Sequence, residues 1–377
     1  MKYYIIAGEA SGDLHGSNLI KELRKLDDAA DIRGWGGDLM QQAGAHLAKH
    51  YRDLAFMGFI EVVANLRTIL RNLKFCKEDI VQFKPDALIL IDYPGFNLRI
   101  AKWAKQQGLK VIYYISPQVW AWKENRVKQM KKDIDKMIVI IPFEKDYFKN
   151  KWNWDTEYVG HPLVNAIEIH KSGADSYRDI DRKLSDKPIV ALLPGSRKQE
   201  IAKKLPIMLE VSKFFHDHQF IVAEAPSVED KFYQNFTRSY SNVSAVKNQT
   251  YDLLSQAKAA LVTSGTATLE TALFGVPEVV CYKGSPVSYQ IAKRVIKVKY
   301  ISMVNLIMDK PVVKELIQND LTVENLKHEL HELLTNETRI NTLRKDYGEL
   351  KRKLSEGGNA SAKAAKSIIQ FLKHELH

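Results

Sequence analysis

The stretch Ala260-Leu261-Val262-Thr263-Ser264-Gly265-Thr266-Ala267-Thr268-Leu269-Glu270 decides the fold. It opens as a short apolar run of strand type, breaks at Ser264-Gly265, and restarts at Thr266 with the pattern of a helix. A strand that ends in small residues and feeds a helix leaves backbone N–H groups at the helix mouth. The helix dipole adds partial positive charge there, and the combination attracts an anion. Nothing larger than threonine stands in the anion's way, and Glu270 lies about one turn into the helix. Phosphate on the amides and ribose hydroxyls on the carboxylate would suit a nucleotide. The same residues also make an ordinary strand-to-helix connection in an α/β domain.

Outward from this stretch the same unit recurs. Residues 189–193 form a buried strand that ends in Pro194-Gly195-Ser196-Arg197, a second strand-to-helix turn with a fixed cation. Residues 220–223, 259–263 and 276–282 read as further strands. In the N-terminal half, residues 3–7 run into Gly8-Glu9-Ala10-Ser11-Gly12-Asp13-Leu14-His15-Gly16, which reads as a glycine-rich loop before a helix over 17–25 with Ser17 as its N-cap. The glycine spacing matches neither the dinucleotide fingerprint nor a P-loop. Ala87-Leu88-Ile89-Leu90-Ile91 is a continuous apolar run, as a central parallel strand requires. It ends in Asp92-Tyr93-Pro94-Gly95-Phe96-Asn97, with a helix predicted over 98–107. An acid at the carboxyl end of a buried strand stands where open α/β sheets place ligands. Pro94 and Gly95 already make the turn, so Asp92 reads as functional. Strands are also predicted over 32–35, 111–115 and 137–141, and helices over 321–354 and 361–376.

The alternation is that of an α/β protein with two Rossmann-like, doubly wound domains facing a cleft. The expected division is 1–168 and 185–350, joined through a charge-rich linker within 167–187. The C-terminal helix, 351–377, is expected either to cross back to the first domain or to exchange with a partner chain, which leaves a homodimer open.

Composition narrows the function. A chain of 377 residues exceeds what one core comfortably supports, and 45% hydrophobic with 27% charged residues is a globular balance. Two cysteines, Cys76 and Cys281, do not make a disulfide framework. No apolar run approaches the ~20 residues of a membrane span, so the expectation is a cytoplasmic protein able to touch a membrane surface. The net charge of +11 implies acidic partners. Basic residues are spread over several helices with no groove-reading motif, so nucleic acid is the weakest of them. Residues 57–74 read as an amphipathic helix whose apolar positions include Met57, Ile69, Leu70 and Leu73, with Arg67, Arg71 and Lys74 between them. Such a helix either packs on its own domain or lies on an anionic membrane. Trp120 and Trp122, in the loop after 111–115, are costly to expose unless they line a pocket or an interface. Asp133-Ile134-Asp135 and Asp179-Ile180-Asp181 precede a strand and fall in the linker, respectively; both read as solvated turns, and neither a metal nor another cofactor is called for.

A resemblance then emerges. The blocks Gly8-Glu9-Ala10-Ser11-Gly12-Asp13, Met57-Gly58 with Glu61-Val62, Asp92 to Asn97, Ser116-Pro117 with Val119-Trp120-Ala121-Trp122, Pro142-Phe143-Glu144, Val159-Gly160-His161-Pro162, Leu193 to Arg197, Thr263 to Glu270, and Asn305-Leu306-Ile307 with Glu315-Leu316 occur in order over nearly the whole chain. Together they are similar to the lipid-A-disaccharide synthases, inverting glycosyltransferases of GT-B architecture. The resemblance implies that UDP-2,3-diacylglucosamine is joined to 2,3-diacylglucosamine 1-phosphate in a β-1,6 linkage, with release of UDP, at the inner-membrane surface. Inversion needs one general base: Asp92 by position, with His15 as the rival. Arg197, Ser196 and the Ser264-Gly265-Thr266 amides would take the diphosphate, Glu270 the ribose, and Asn305 and Gln318 would complete the nucleotide pocket. Ser11, Met57, Ile69, Leu70, Leu73, Trp120 and Trp122 would meet the acceptor and its acyl chains. The alternatives are a UDP-N-acetylglucosamine 2-epimerase on the same architecture and, less favoured, a basic nucleic-acid-binding protein.

Overall fold

The computed structural model describes residues 1–54, 66–172, 184–285, 289 and 298–375. Met57 and the first part of the helix expected over 57–74 lie outside these residues, as does Asp179-Ile180-Asp181.

The chain forms two compact units. One comprises Met1–Pro162 and Leu354–His377, the other Leu163–Lys353. The first holds a parallel sheet of β1 (Lys2–Ala7), β2 (Asp31–Gly36), β3 (His46–His50), β4 (Ala87–Ile91), β5 (Val111–Tyr114), β6 (Lys136–Val139) and β7 (Glu157–Tyr158), in the order β3-β2-β1-β4-β5-β6-β7. The second holds β8 (Ile189–Leu193), β9 (Gln219–Glu224), β10 (Val243–Lys247), β11 (Ala257–Thr263), β12 (Glu278–Tyr282) and β13 (Lys314–Ile317), in the order β10-β9-β8-β11-β12-β13. Each sheet is wound outward from a central strand and then crosses over to wind the other way. The reversal falls between β1 and β4 in one unit and between β8 and β11 in the other. Helices diverge at such a point, leaving a crevice beyond the carboxyl ends of the two strands.

The central strands are buried on both faces: every residue of β4 and of β5 is buried. This is why they read as unbroken apolar runs. The strands the sequence does not announce, β3, β7, β10 and β13, are the four sheet edges. Their residues (HLAKH, EY, VSAVK and KELI) alternate or are polar, because one flank of each lacks a strand partner.

Several expectations are corrected. The supposed glycine loop is helical: the helix runs from Ala10 to Leu26, with Glu9 rather than Ser17 at its N-cap. Gly12 and Gly16 sit one turn apart on the face that meets the sheet. A Cβ on Gly12 would lie 3.1 Å from the Ala7 Cβ, and one on Gly16 would lie 2.6 Å from the Met40 sulfur. The glycines therefore serve close packing, and Ser17 sits inside the helix with its hydroxyl donating to the Leu14 carbonyl. The helix after β4 starts at Pro94, not at residue 98. The linker region begins with helix, Pro162–Ser172, and residues 321–354 are two helices, Val323–Thr335 and Glu337–Ser355.

A further correction concerns the amphipathic segment, which is helical over Leu66–Phe83. Leu73 is buried in the first unit's core with Cys76 and Ile80, and Ile69 packs against the same cluster. The spacing 69, 73, 76, 80 is the core stripe of the helix. Leu70 alone of the three named apolar residues is exposed, at 57%. It shares its exposed side with Arg67, Arg71 and Lys74.

Candidate active site

In the first unit the crevice at the carboxyl ends of β1 and β4 is built around Asp92. Asp92 and Tyr93 both take left-handed backbone angles, φ +44° and +49°, which cost about 1–2 kcal/mol per non-glycine residue. The surroundings hold them there. The Asp92 carbonyl accepts from the Asn97 amide at 2.8 Å and from the Tyr113 hydroxyl at 2.5 Å, while the Asp92 N–H donates to the Tyr114 carbonyl at 3.2 Å. The Tyr93 ring lies over Gly8, where a Cβ would fall 2.2 Å from the ring. Stored strain of this kind aims a side chain. Burial raises the Asp92 carboxyl from 3.8 to about 6; the negative charge of Glu9 pushes the same way, and the Tyr93 N–H opposes them. Near neutral pH the group is largely ionised yet far more basic than an exposed aspartate, as a general base should be.

His15 differs. Burial lowers it to about 4, so its imidazole is neutral near pH 7, and its Nδ1 is buried with no hydrogen-bond partner among the described residues. Its neighbour is His161, lowered to about 3 by burial and then by His15 itself. Sequence reasoning gave His161 no role; the available signal was its position just after β7. Asp13, in the same N-terminal block, accepts from the backbone N–H groups of Gly37, Leu39 and Met40 and fastens the next helix. Ser11 is exposed in the first helical turn.

The two tryptophans separate. Trp122 is exposed at 45%, with the Lys123 ammonium 4.2 Å from its ring centroid and the Arg126 guanidinium 5.9 Å away. Trp120 turns inward. Its indole N–H donates to Glu144 at 3.1 Å, and its ring meets Phe143 edge-on at 4.9 Å. Glu144 is the other residue that sequence reasoning left without a role. It is fully buried, raised to about 8 chiefly by that burial, and Asp92 acts on it in the same direction.

In the second unit the crevice lies between the turns after β8 and β11. Helices Lys198–Ser212 and Thr266–Phe274 begin there from adjacent strands, so two helix N-termini open at one edge. Gly265 caps the second with φ +152°, and a Cβ there would meet nothing within 4 Å. The space above the turn is open. Ser196, Arg197, Gly265 and Thr266 are exposed. The Arg197 guanidinium donates to Glu200 at 3.3 Å. Thr263, at the end of β11, has a buried hydroxyl with no hydrogen-bond partner among the described residues. Glu270 accepts from the Tyr251 hydroxyl at 3.1 Å, and burial raises its carboxyl.

The remaining second-unit residues are engaged within the protein. The Ser264 hydroxyl donates to the Ile301 carbonyl at 2.8 Å and its N–H to the Cys281 carbonyl at 3.4 Å, so the mouth is left to Gly265 and Thr266. Asn305 is buried, and its amide pairs with Val313 and Glu315. Gln318 accepts from the Gly284 N–H at 2.8 Å. Both support the β12–β13 edge. Among the described residues no group of His, Cys, Asp and Glu could hold a metal ion, and no helix is long and apolar enough to cross a membrane.

Two parallel α/β units, each wound about a switch point, one with an acid there and the other with a cationic turn and paired helix N-termini, are the GT-B architecture. Solved structures agree on the fold. A glycosyltransferase of kitacinnamycin aligns with a TM-score of 0.67 at 14% identity, covering 98% of each chain. The UDP-GlcNAc 2-epimerase of Neisseria meningitidis, bound to UDP-GlcNAc, aligns at 0.66 and 14%, covering 99% of this chain and all of that one. Sequence comparison is narrower. The family model described as lipid-A-disaccharide synthetase matches residues 3–370. The lipid-A-disaccharide synthase of Geobacter metallireducens is 38% identical over 373 residues, 98% of this chain and 96% of that protein. The chain belongs to the lipid-A-disaccharide synthase family of lipid A biosynthesis.

Proposed function

We propose that the protein transfers a diacylglucosamine unit from UDP-2,3-diacylglucosamine to the 6-hydroxyl of 2,3-diacylglucosamine 1-phosphate, forming a β-1,6 disaccharide and releasing UDP. The observation that carries this reading is Asp92, aimed by a strained turn at a switch point and basic enough to accept a proton while ionised at neutral pH. In a single inverting displacement, the Asp92 carboxylate takes the proton of the acceptor hydroxyl as its oxygen bonds to the sugar carbon. The bond to the UDP oxygen breaks and the electron pair leaves on the diphosphate. His15, held neutral at about 4, is the weaker base.

Leaving-group charge would be met in the second unit. Arg197 can give the diphosphate two parallel N–H bonds, and the Gly265 and Thr266 amides add the helix dipole. The open space at Gly265 and the orphaned Thr263 hydroxyl support an anion there. Glu270 is the ribose partner in this reading. The exposed Leu70, among Arg67, Arg71 and Lys74, supports contact with an anionic membrane that delivers the acylated substrates.

The test is direct. Purified protein is incubated with both acylated sugars, and UDP release and disaccharide mass are followed. Equal amounts of UDP and disaccharide are expected. Absence of disaccharide, or formation of the manno epimer from UDP-N-acetylglucosamine instead, would overturn the assignment.

A further inference from the structure

The carboxyl ends of β4, β5 and β6, three neighbours in the first sheet, carry Asp92, the loop with Trp120, and the helix Pro142–Trp152 with Glu144. Glu144 has an obvious local duty: one carboxyl oxygen accepts from the Ile141 N–H at 3.2 Å and caps the helix. Capping alone does not account for the rest. A capping glutamate is normally solvated and charged, whereas Glu144 is 0% exposed. Its second oxygen is spent on the Trp120 indole N–H at 3.1 Å. Trp120 belongs to the loop that opens directly from β5, the strand paired with the one that ends at Asp92. The same loop exposes Trp122 under Lys123 and Arg126.

We propose that Glu144 is a positioning residue for the acceptor: through the Trp120 indole it holds the Ser116–Lys123 loop beside Asp92. The proposal rests on the reading that the first unit receives the acceptor. Glu144 does not touch substrate in this account. It ties the loop to the helix after β6, so the aromatic wall next to the base keeps one geometry.

Charge matters to the device. The groups acting on the Glu144 carboxyl are Trp120, the Ile140 and Ile141 backbone, and Asp92; Glu144 acts in turn on Tyr158 of β7. None of these is a cation. Near neutral pH the carboxyl is therefore mostly protonated, and above about 8 it ionises without a counter-charge. An uncompensated buried anion draws in water and loosens the contacts around it.

The experiment compares Glu144→Ala, Glu144→Gln, Trp120→Phe and the Glu144→Ala/Trp120→Phe double variant, with acceptor KM, donor KM, kcat and UDP affinity measured from pH 6 to 9. Trp120→Phe keeps an aromatic ring, removes the N–H together with part of the bicycle, and leaves the helix cap untouched. It should raise acceptor KM roughly tenfold, the scale of one buried hydrogen bond, with donor KM and UDP affinity within about twofold. The double variant should be no worse than Glu144→Ala, because both remove one shared interaction. Glu144→Gln retains an acceptor oxygen for the indole and should stay near wild type at pH 7. It should also lack the rise in acceptor KM expected of the wild type above about pH 8. Unchanged acceptor KM in Trp120→Phe, additive effects in the double variant, or the same alkaline rise in Glu144→Gln would each overturn the proposal. A wild type that forms no disaccharide would overturn the proposed reaction instead, so the two failures are distinguishable.

Discussion

The two switch points share a topology and are electrostatic opposites. At β1/β4 the turn is acidic and roofed: Glu9 and Asp92 lie together and the Tyr93 ring covers Gly8. At β8/β11 it is cationic and open: Arg197 and Lys198 are exposed and the space above Gly265 is empty. A helix N-terminus favours anions in both places. In the first unit two protein carboxylates already lie at this edge, so a diphosphate would be repelled. In the second, the two cations hold only exposed surface pairs, Arg197 with Glu200 and Lys198 with Glu229, which a diphosphate could exchange for itself. One architecture used twice thus carries opposite charge at its two switch points through the side chains of a single turn.

The largest effect that would break this contrast is expected from Asp92→Asn. If Asp92 is the base, kcat should fall by roughly 10²–10⁴, while UDP affinity, assigned by the proposal to the other unit, stays put. The wild-type rate should also fall about tenfold per pH unit below about 6, as Asp92 takes up its proton. Stability should move the other way. Folding raises the carboxyl from 3.8 to about 6. The penalty on the charged form is absent below 3.8, grows between those values, and stays near 3 kcal/mol above them. Asn tolerates the left-handed angle, so the variant should melt several degrees higher than wild type at pH 8 and with little difference near pH 4. An Asn variant as active as wild type would move the base elsewhere.

Arg197→Ala tests the opposite pole. Loss of a bidentate cation should weaken UDP binding by about tenfold or more, read by calorimetry, without shifting the acid limb set by Asp92. A weakened acceptor KM with normal UDP affinity would reverse the assignment of the two crevices.

Two glycine variants sharpen the roofed-versus-open distinction. Gly8→Ala must displace the Tyr93 ring and should destabilise the protein by about 1–3 kcal/mol, lowering turnover but not UDP affinity. Gly265→Ala meets no atoms but cannot keep its φ comfortably. A few-fold loss of UDP affinity is expected, with kcat at saturating donor near normal. The smallest effect belongs to Leu70→Ser. Removing one exposed apolar side chain should cut binding to anionic vesicles a few-fold, whereas Leu73→Ser should unfold the first unit's core instead.

Much of this was legible in the chain. Strands buried on both faces must be apolar throughout, so the sheet centres and the residues just beyond their ends could be read directly, and Asp92, Arg197 and Gly265 with them. The edges could not, because β3, β7, β10 and β13 are half-solvated and lack that signature. The stretch after Gly8 reads as a loop because glycine weakens helices by propensity, yet Gly12 and Gly16 are required where the helix closes on the sheet. Asn305 looks available as sequence, but both ends of its amide are taken by Val313 and Glu315, and Gln318 places its amide oxygen on the Gly284 N–H. Glu144 was hidden because a Pro-x-Glu after a strand reads as a helix cap; its second bond, to Trp120, spans the next strand and leaves no local trace.

The first unit is discontinuous: the helix Ala360–Glu375 packs on Ala10–Leu26, and the Leu354 carbonyl accepts from the His161 N–H at 3.1 Å. A ribosome delivers these partners at opposite moments of synthesis. The whole second unit is translated while the Ala10–Leu26 face waits uncovered, its closing helix still unmade. The nascent chain thus completes its second unit before its first, and the crevice at Asp92 matures last.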